Sequence, residues 1–244
     1  MRPIQRGPSP YPVDLENYKD AKPHLVARMG PYCSYCERRV NTMLAVEHIQ
    51  PKDLPAYRNL IGCWGNFLLA CFNCNSCKTD NDVVLADVLL PDRDNTFLAF
   101  SYLPDGSVIP APDLSESEKR MAAKSLEVTG LDKKASAIRD ENGKEVALDR
   151  VSQRMQAWLN AEASLADFQT GPGNAALRSQ IVRNATATGF FSIWMTVFAS
   201  EVDMRNRLID AFEGTRRSGC FDPITTLPVS PAPNPDRLGQ GGKI

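Results

Sequence analysis

Cys33-Ser-Tyr-Cys36, then Val46-Glu47-His48-Ile49-Gln50-Pro51-Lys52, then Trp64-Gly65-Asn66-Phe67-Leu68-Leu69-Ala70-Cys71-Phe72-Asn73-Cys74-Asn75-Ser76-Cys77-Lys78 follow one another inside residues 33–80. Two Cys-x-x-Cys pairs therefore bracket a carboxylate, a histidine and two asparagines. In each pair the spacing lets both thiolates reach one ion, and four thiolates satisfy tetrahedral Zn²⁺ in a closed, structural site. The bracketed segment holds few large apolar side chains, so a metal staple supplies stability that its small core lacks. Cys33, Cys36, Cys71 and Cys74 are read as the zinc ligands. Cys63, Cys77 and Cys220 are read as small buried residues, with Cys77 pointing away from Cys74 on a helix.

Working outward, Val40, Met43, Leu44 and Val46 suggest a hairpin leading into a strand that ends at Glu47-His48, and Pro51 stops it. Asp53 to Gly65 lacks periodicity and reads as a loop. Asn66 to Ala70 is a short apolar strand, and Cys74 to about Leu90 is predicted helical. The order is strand, loop, strand, helix. A short helix is expected over His24 to Met29, stopped by Gly30-Pro31. Residues 1–23 are Pro-rich and read as an extended, solvated arm. Thr96 to Ile109 gives two strands around the turn Pro104-Asp105-Gly106. Past Pro110-Ala-Pro112 the pattern turns helical. Asp113 to Val128 carries capping candidates and stops at Gly130. Leu131 to Arg139 and Val146 to Phe168 follow, with a break at Asn142-Gly143 and a turn at Gly171-Pro-Gly173. Ala175 to Glu213 reads as helical with a break at Gly189, and Phe190 to Phe198 is apolar nearly all round, as in a buried central helix. From Pro223 onward Pro, Gly and Asn dominate, as in a disordered tail.

The fold class is thus α+β. An extended arm (1–23) precedes a zinc-stapled module with its following hairpin (24–110). A helical region that offers a docking surface (111–218) and a disordered tail (219–244) complete the chain.

The 244 residues can bury a sizeable core, and a net charge of −1 excludes a chain that binds nucleic acid by bulk basicity. From Lys22 to Asp80, seven Lys and Arg stand against four Asp and Glu, a local basic excess. No apolar run is long enough to span a bilayer. Met1 to Pro12 lacks the apolar core of a secretory leader. An odd number of cysteines, mostly in Cys-x-x-Cys pairs and without an export signal, suggests metal ligation and a cytoplasmic location.

His24 and His48 are the chain's two histidines. His48 follows a carboxylate at a strand end inside the cysteine bracket, and imidazole suits deprotonation of water near neutral pH. Asn75 follows the second cysteine pair, and its amide oxygen, with Glu47, forms a hard pocket for Mg²⁺. Asn66 is placed to brace the loop that carries His48. Lys78, one turn beyond Asn75, and Lys52 are placed to meet phosphates.

Cys-x-x-Cys, Glu-His-Ile-x-Pro-Lys and Trp-x-Asn-x-Leu-x-x-Cys-x-x-Cys-Asn-x-x-Lys together resemble the HNH, or ββα-metal, nucleases. Within them the chain is similar to the HNH subunit of Septu-type antiphage systems, including those attached to retrons. Asp105-Gly106, Gly130-Leu131-Asp132 and Arg139 are further features similar to that subfamily. The resemblance implies His48 as the general base. It implies Glu47 and Asn75 as holders of one divalent ion, Mg²⁺ or Mn²⁺, and Asn66 as the residue that positions the catalytic loop. Glu47 stands where many relatives have Asp, and Asn75 where many have His. The latter favours Mg²⁺ or Mn²⁺ over a transition metal. An ATPase partner that gates the nuclease is implied as well.

Nothing in the motif reads the sugar, so DNA, the favoured substrate, and RNA, tRNA included, both stay open. The alternative of another class is a zinc-ribbon binding module without catalysis, which would not need Glu47, His48 and Asn75.

Overall fold

The computed structural model describes residues 1–79, 81–133, 150–171 and 173–244. Arg139, Asn142-Gly143, most of the expected Leu131–Arg139 helix, the start of the helical pattern at Val146, and Pro172 lie outside them. The elements run α1 (Lys22–Met29), β1 (Ala45–His48), β2 (Phe67–Ala70), α2 (Phe72–Lys78), α3 (Thr96–Ala99), β3 (Phe100–Tyr102), β4 (Val108–Pro110), α4 (Glu116–Thr129), α5 (Arg150–Thr170), α6 (Ala175–Thr188), α7 (Phe191–Val197) and α8 (Val202–Ala211). This is an α+β chain: a β1–β2–α2 module followed by a mainly helical half.

β1 and β2 pair antiparallel, with Ala45 opposite Ala70 and His48 opposite Phe67. All four β2 side chains are buried, so its unbroken apolar run reflects cover on both faces. A two-stranded ribbon is marginal alone. Here α2, the cysteine cluster and the N-terminal segment, through Arg6, support it.

β3 and β4 pair across the turn at residues 104–106 as expected, although Thr96–Ala99, at the start of the expected first strand, is the short helix α3. α4 opens with a capping box in which Ser115 and Glu118 satisfy each other's backbone N–H, and it ends at Gly130 in the left-handed conformation (φ 63°).

Three expectations are corrected. α2 stops at Lys78 instead of running to Leu90: Thr79 leaves helical space at φ 43°, and residues 81–90 are irregular apart from one 3₁₀ turn at Leu85–Asp87. The apolar residues there pack without helical spacing; Val83, Val88 and Leu89 are buried while Val84 is exposed. The stretch Ala175–Glu213 is three helices, broken at Gly189 (φ 81°) and again at residues 198–201. Phe191, Ile193, Trp194, Met195 and Phe198 in and beside α7 are fully buried, which makes this short helix the centre of the helical half. Each such side chain contributes about 1.5–3 kcal/mol.

Third, neither chain end is loose. Met1, Arg2, Ile4 and Arg6 are buried. Arg2 donates to Thr215 Oγ1 (2.6 Å) and to Met29 O (2.6 Å), and Arg6 pairs with Asp92 (3.2 Å) while donating to the Phe67 carbonyl of β2. At the other end Asn95 Nδ2 donates to Cys220 O (2.8 Å) and Val229 O (2.9 Å), and Ala232 N donates to Ile244 O (2.8 Å). Low-periodicity segments are anchored here by arginines and backbone hydrogen bonds in place of apolar stripes.

Candidate active site

Two sites share the module. In the first, Cys33 and Cys36 on the loop before β1 meet Cys71, the N-cap of α2, and Cys74 on its first turn. The four sulfurs lie within 4.8 Å of one another and all four residues are buried. Four thiols packed this way cannot all ionise without a cation. Hydrogen bonds from the other three pull Cys71 far below the usual thiol range. Burial pushes Cys33 up, and hydrogen bonding to its neighbours pushes Cys74 up. The donor set, its spacing and its burial fit Zn²⁺.

Arg150 from α5 donates to Cys74 Sγ at 3.3 Å. Burial opposes the charges of Arg38 and Arg150, but the thiols outweigh it and hold both guanidiniums above their ordinary pKa. Both are residues that motif reading did not reach, and both offset the negative charge a tetrathiolate would carry. Cys77 lies outside the four, 3.6 Å from Arg150 Nη2; it and Cys63 are only partly buried, while Cys220 is buried as expected.

Glu37, directly after the first cysteine pair, was also missed. Its backbone is left-handed (φ 64°) and its carboxylate is buried. That carboxylate accepts from Ser192 N (2.8 Å), Ser192 Oγ (2.6 Å) and Tyr102 Oη (3.1 Å), which fixes the cysteine loop to α7 and β3.

The second site is a pocket of about 110 Å³ lined by Tyr18, Val46, Glu47, His48, Pro51, Lys52, Asp53, Asn75, Lys78 and Thr79. Consecutive strand residues point to opposite faces, yet Glu47 and His48 both reach this pocket because His48 is the last residue of β1. His48 Nε2 lies 3.0 Å from the Ile61 carbonyl. A carbonyl only accepts, so Nε2 carries the proton and Nδ1 keeps its lone pair. The ring is held edge-to-face by Tyr18 (centroids 4.6 Å) and Phe67 (5.2 Å). Burial lowers the His48 pKa against the opposing pull of the Ile61 carbonyl, so the neutral ring is favoured.

Glu47 is 3% exposed, and burial raises its pKa against the pull of Lys78. Lys78 does not stand on the surface for a phosphate, as its sequence position suggested. Its ammonium is buried, 3.0 Å from Glu47 Oε1, and donates to His48 O at 2.7 Å. Glu47 Oε1 nonetheless has no aligned hydrogen-bond donor. Asn75 is exposed, and its side-chain amide makes no hydrogen bond among the described residues. A buried carboxylate oxygen short of donors beside a free amide oxygen is a donor set that fits a hard divalent cation.

Asn66 is buried on the 3₁₀ turn before β2. Its Oδ1 accepts from Gln50 N (2.8 Å) and its Nδ2 donates to Gln50 O (3.0 Å), clamping the loop that follows His48. Lys52 is at the pocket rim, paired with Asp53 (2.8 Å). His24 is exposed and takes no part. Tyr18, which comes from the arm, carried no motif signal.

Residues 33–81 match the family model of the HNH endonucleases. They form an HNH domain, about a fifth of the chain, that holds the four cysteines and every pocket-lining residue except Tyr18. No curated protein matches the chain. No helix among the described residues is long and apolar enough to cross a membrane.

Proposed function

We propose that this chain is a metal-dependent HNH endonuclease that hydrolyses phosphodiester bonds, with DNA the favoured substrate. The observation that carries the reading is the shared pocket of Glu47, His48 and Asn75, with the tetrathiol set beside it. Cys33, Cys36, Cys71 and Cys74 hold a structural Zn²⁺, and Glu47 and Asn75 hold Mg²⁺ or Mn²⁺. When bound, that hard cation supplies Lewis-acid stabilisation of the charge on the phosphate and on the leaving oxygen.

His48 Nδ1 takes a proton from a water whose oxygen forms the new bond to phosphorus. The P–O3′ bond breaks, and the leaving oxygen picks up a solvent proton. The Ile61 carbonyl keeps Nδ1 free for this step, and Asn66 holds the loop that sets the position of the ring. Lys78 compensates Glu47, which keeps a buried carboxylate charged. Lys52 at the rim meets a flanking phosphate.

The resemblance to Septu-type subunits extends the proposal to a cytoplasmic antiphage effector gated by an ATPase partner, with the helical half as its docking surface. Mg²⁺-dependent nicking of plasmid by the purified chain, run beside total tRNA, tests the nuclease reading. The result expected is plasmid nicking that His48→Ala lowers by at least about 10²-fold with zinc content unchanged. Full activity of His48→Ala, or no Mg²⁺-dependent cleavage of either substrate, would overturn it.

A further inference from the structure

Among the exposed large apolar side chains, Met43 (77% exposed) and Phe72 (68%) stand in the HNH domain itself. Single exposed apolar residues are common and mean nothing alone; the placement of these two is informative. The last strand pair is Ala45 with Ala70, so Met43, two residues before β1, and Phe72, two residues after β2, flank the same end of the ribbon. Phe72 opens α2, three residues before Asn75. Helical residues at that spacing share a face, about 5–6 Å apart at Cβ. Phe72 is therefore the immediate helical neighbour of the amide that lines the pocket.

Both supports are fixed. Phe72 is flanked by Cys71 and lies two residues before Cys74, both in the tetrathiol set. Met43 has φ 59°, a conformation that a non-glycine residue holds only where its surroundings impose it.

The rim is basic. Arg38 donates to Asn73 Oδ1 (2.7 Å), next to Phe72, and Arg39 donates to Asn41 Oδ1 (3.0 Å), two residues before Met43. Neither residues 38–46 nor residues 64–79 contain an Asp or Glu. An apolar pair with guanidiniums beside it and no acid within its own two segments complements a polyanion that also offers an apolar edge. Duplex DNA does so at a base step, where Phe- and Met-type wedges unstack neighbouring pairs while arginines hold the phosphates. A stacking platform for single strands would instead present successive aromatics, and Phe72 stands without a second one here.

We propose that Phe72 and Met43 form a wedge that enters a base step of duplex DNA next to the scissile phosphate, with Arg38 and Arg39 on the flanking phosphates. This rests on the nuclease reading above and adds to it a substrate contact outside the pocket.

The test uses the full chain with His48→Ala, which leaves substrate uncut, and a fluorescein-labelled duplex read by anisotropy across a salt series. Phe72→Ala on that background should weaken binding by about tenfold or more and leave the salt slope unchanged. Arg39→Gln should flatten the slope by about one phosphate contact. Phe72→Trp should bind like the parent. Equal affinity of the Phe72→Ala protein and its parent overturns the wedge and leaves the nuclease reading standing. Weakening seen with single-stranded RNA but not with duplex assigns the surface to RNA and also overturns it. A parent that binds neither nucleic acid overturns both readings. Should Phe72→Ala lose zinc, Met43→Gln, outside the tetrathiol set, decides by the same criteria.

Discussion

Lys78 Nζ sits 3.0 Å from Glu47 Oε1, with both side chains 3% exposed. α2 thus delivers a buried counter-charge to the buried carboxylate that lines the pocket. Removing one partner of a buried pair leaves an uncompensated charge and typically costs about 3–5 kcal/mol. Lys78→Met should lower the thermal midpoint clearly in metal-free buffer, and Mg²⁺ should restore part of it by taking over the compensation of Glu47. Adding Glu47→Gln to Lys78→Met should recover stability without metal. A midpoint for Lys78→Met equal to wild type would show that the pair contributes nothing.

Tyr18 brings the N-terminal segment into the pocket. Its ring meets His48 edge-to-face at 4.6 Å, and its hydroxyl makes no hydrogen bond among the described residues. Packing therefore sets the imidazole's place from this side. Tyr18→Ala should lower kcat by about tenfold, the effect of about 1.4 kcal/mol, whereas Tyr18→Phe should keep most of it. Equal losses in the two variants would assign the effect to the hydroxyl instead.

The pH dependence follows from the surroundings of His48. The base works only as neutral imidazole. Burial disfavours the imidazolium, Lys52 and Lys78 push the same way, and the Ile61 carbonyl opposes them. The folded pKa is lowered, so the active form persists to lower pH. The acid limb of kcat/KM should fall below the free imidazole value of about 6.5. A limb at or above that value would remove His48 from the role of base.

What the sequence made legible here is the chemistry that neighbours in sequence carry. The two cysteine pairs, the Glu47-His48 strand end and the strand Phe67–Ala70 are written in spacing and apolar runs. What it left out depends on contacts between distant segments. Nothing in a Pro-rich arm announces that Arg6 will pair with Asp92 and reach the carbonyl of Phe67. Lys78 reads as a phosphate contact because its spacing from Asn75 says which face it shares, and not that Glu47 will draw it inside. The helix predicted through Leu90 failed because Val83, Val88 and Leu89 are buried by neighbouring segments, including the Ser125 hydroxyl that accepts from Leu89 N (2.7 Å), and not by a helical stripe.

The tetrathiol set makes a different prediction from the pocket. Cys71→Ser removes a ligand, so zinc content and folding should fall in parallel, and a chelator should do the same to wild type. Asn75→Ala should keep zinc and melting midpoint while losing Mg²⁺-dependent cleavage. Loss of zinc in Asn75→Ala would mean that the two sites are not separable.

Glu37 tests how far the HNH domain depends on the helical half. Its carboxylate receives two hydrogen bonds from Ser192 and one from Tyr102, while its backbone sits at φ 64°. The two features pull in opposite directions under substitution. Removing the carboxylate strands buried donors at about 1–3 kcal/mol. Glycine relieves the left-handed backbone that alanine retains, worth about 1 kcal/mol. Glu37→Gly and Glu37→Ala should both be less stable than wild type, with alanine the worse of the two by urea denaturation. Because Ser192 lies in α7, the loss should appear as one cooperative transition that includes the Trp194 signal. An HNH domain that unfolds separately, with Trp194 fluorescence unmoved, would show that the cysteine loop is merely apposed to the helices.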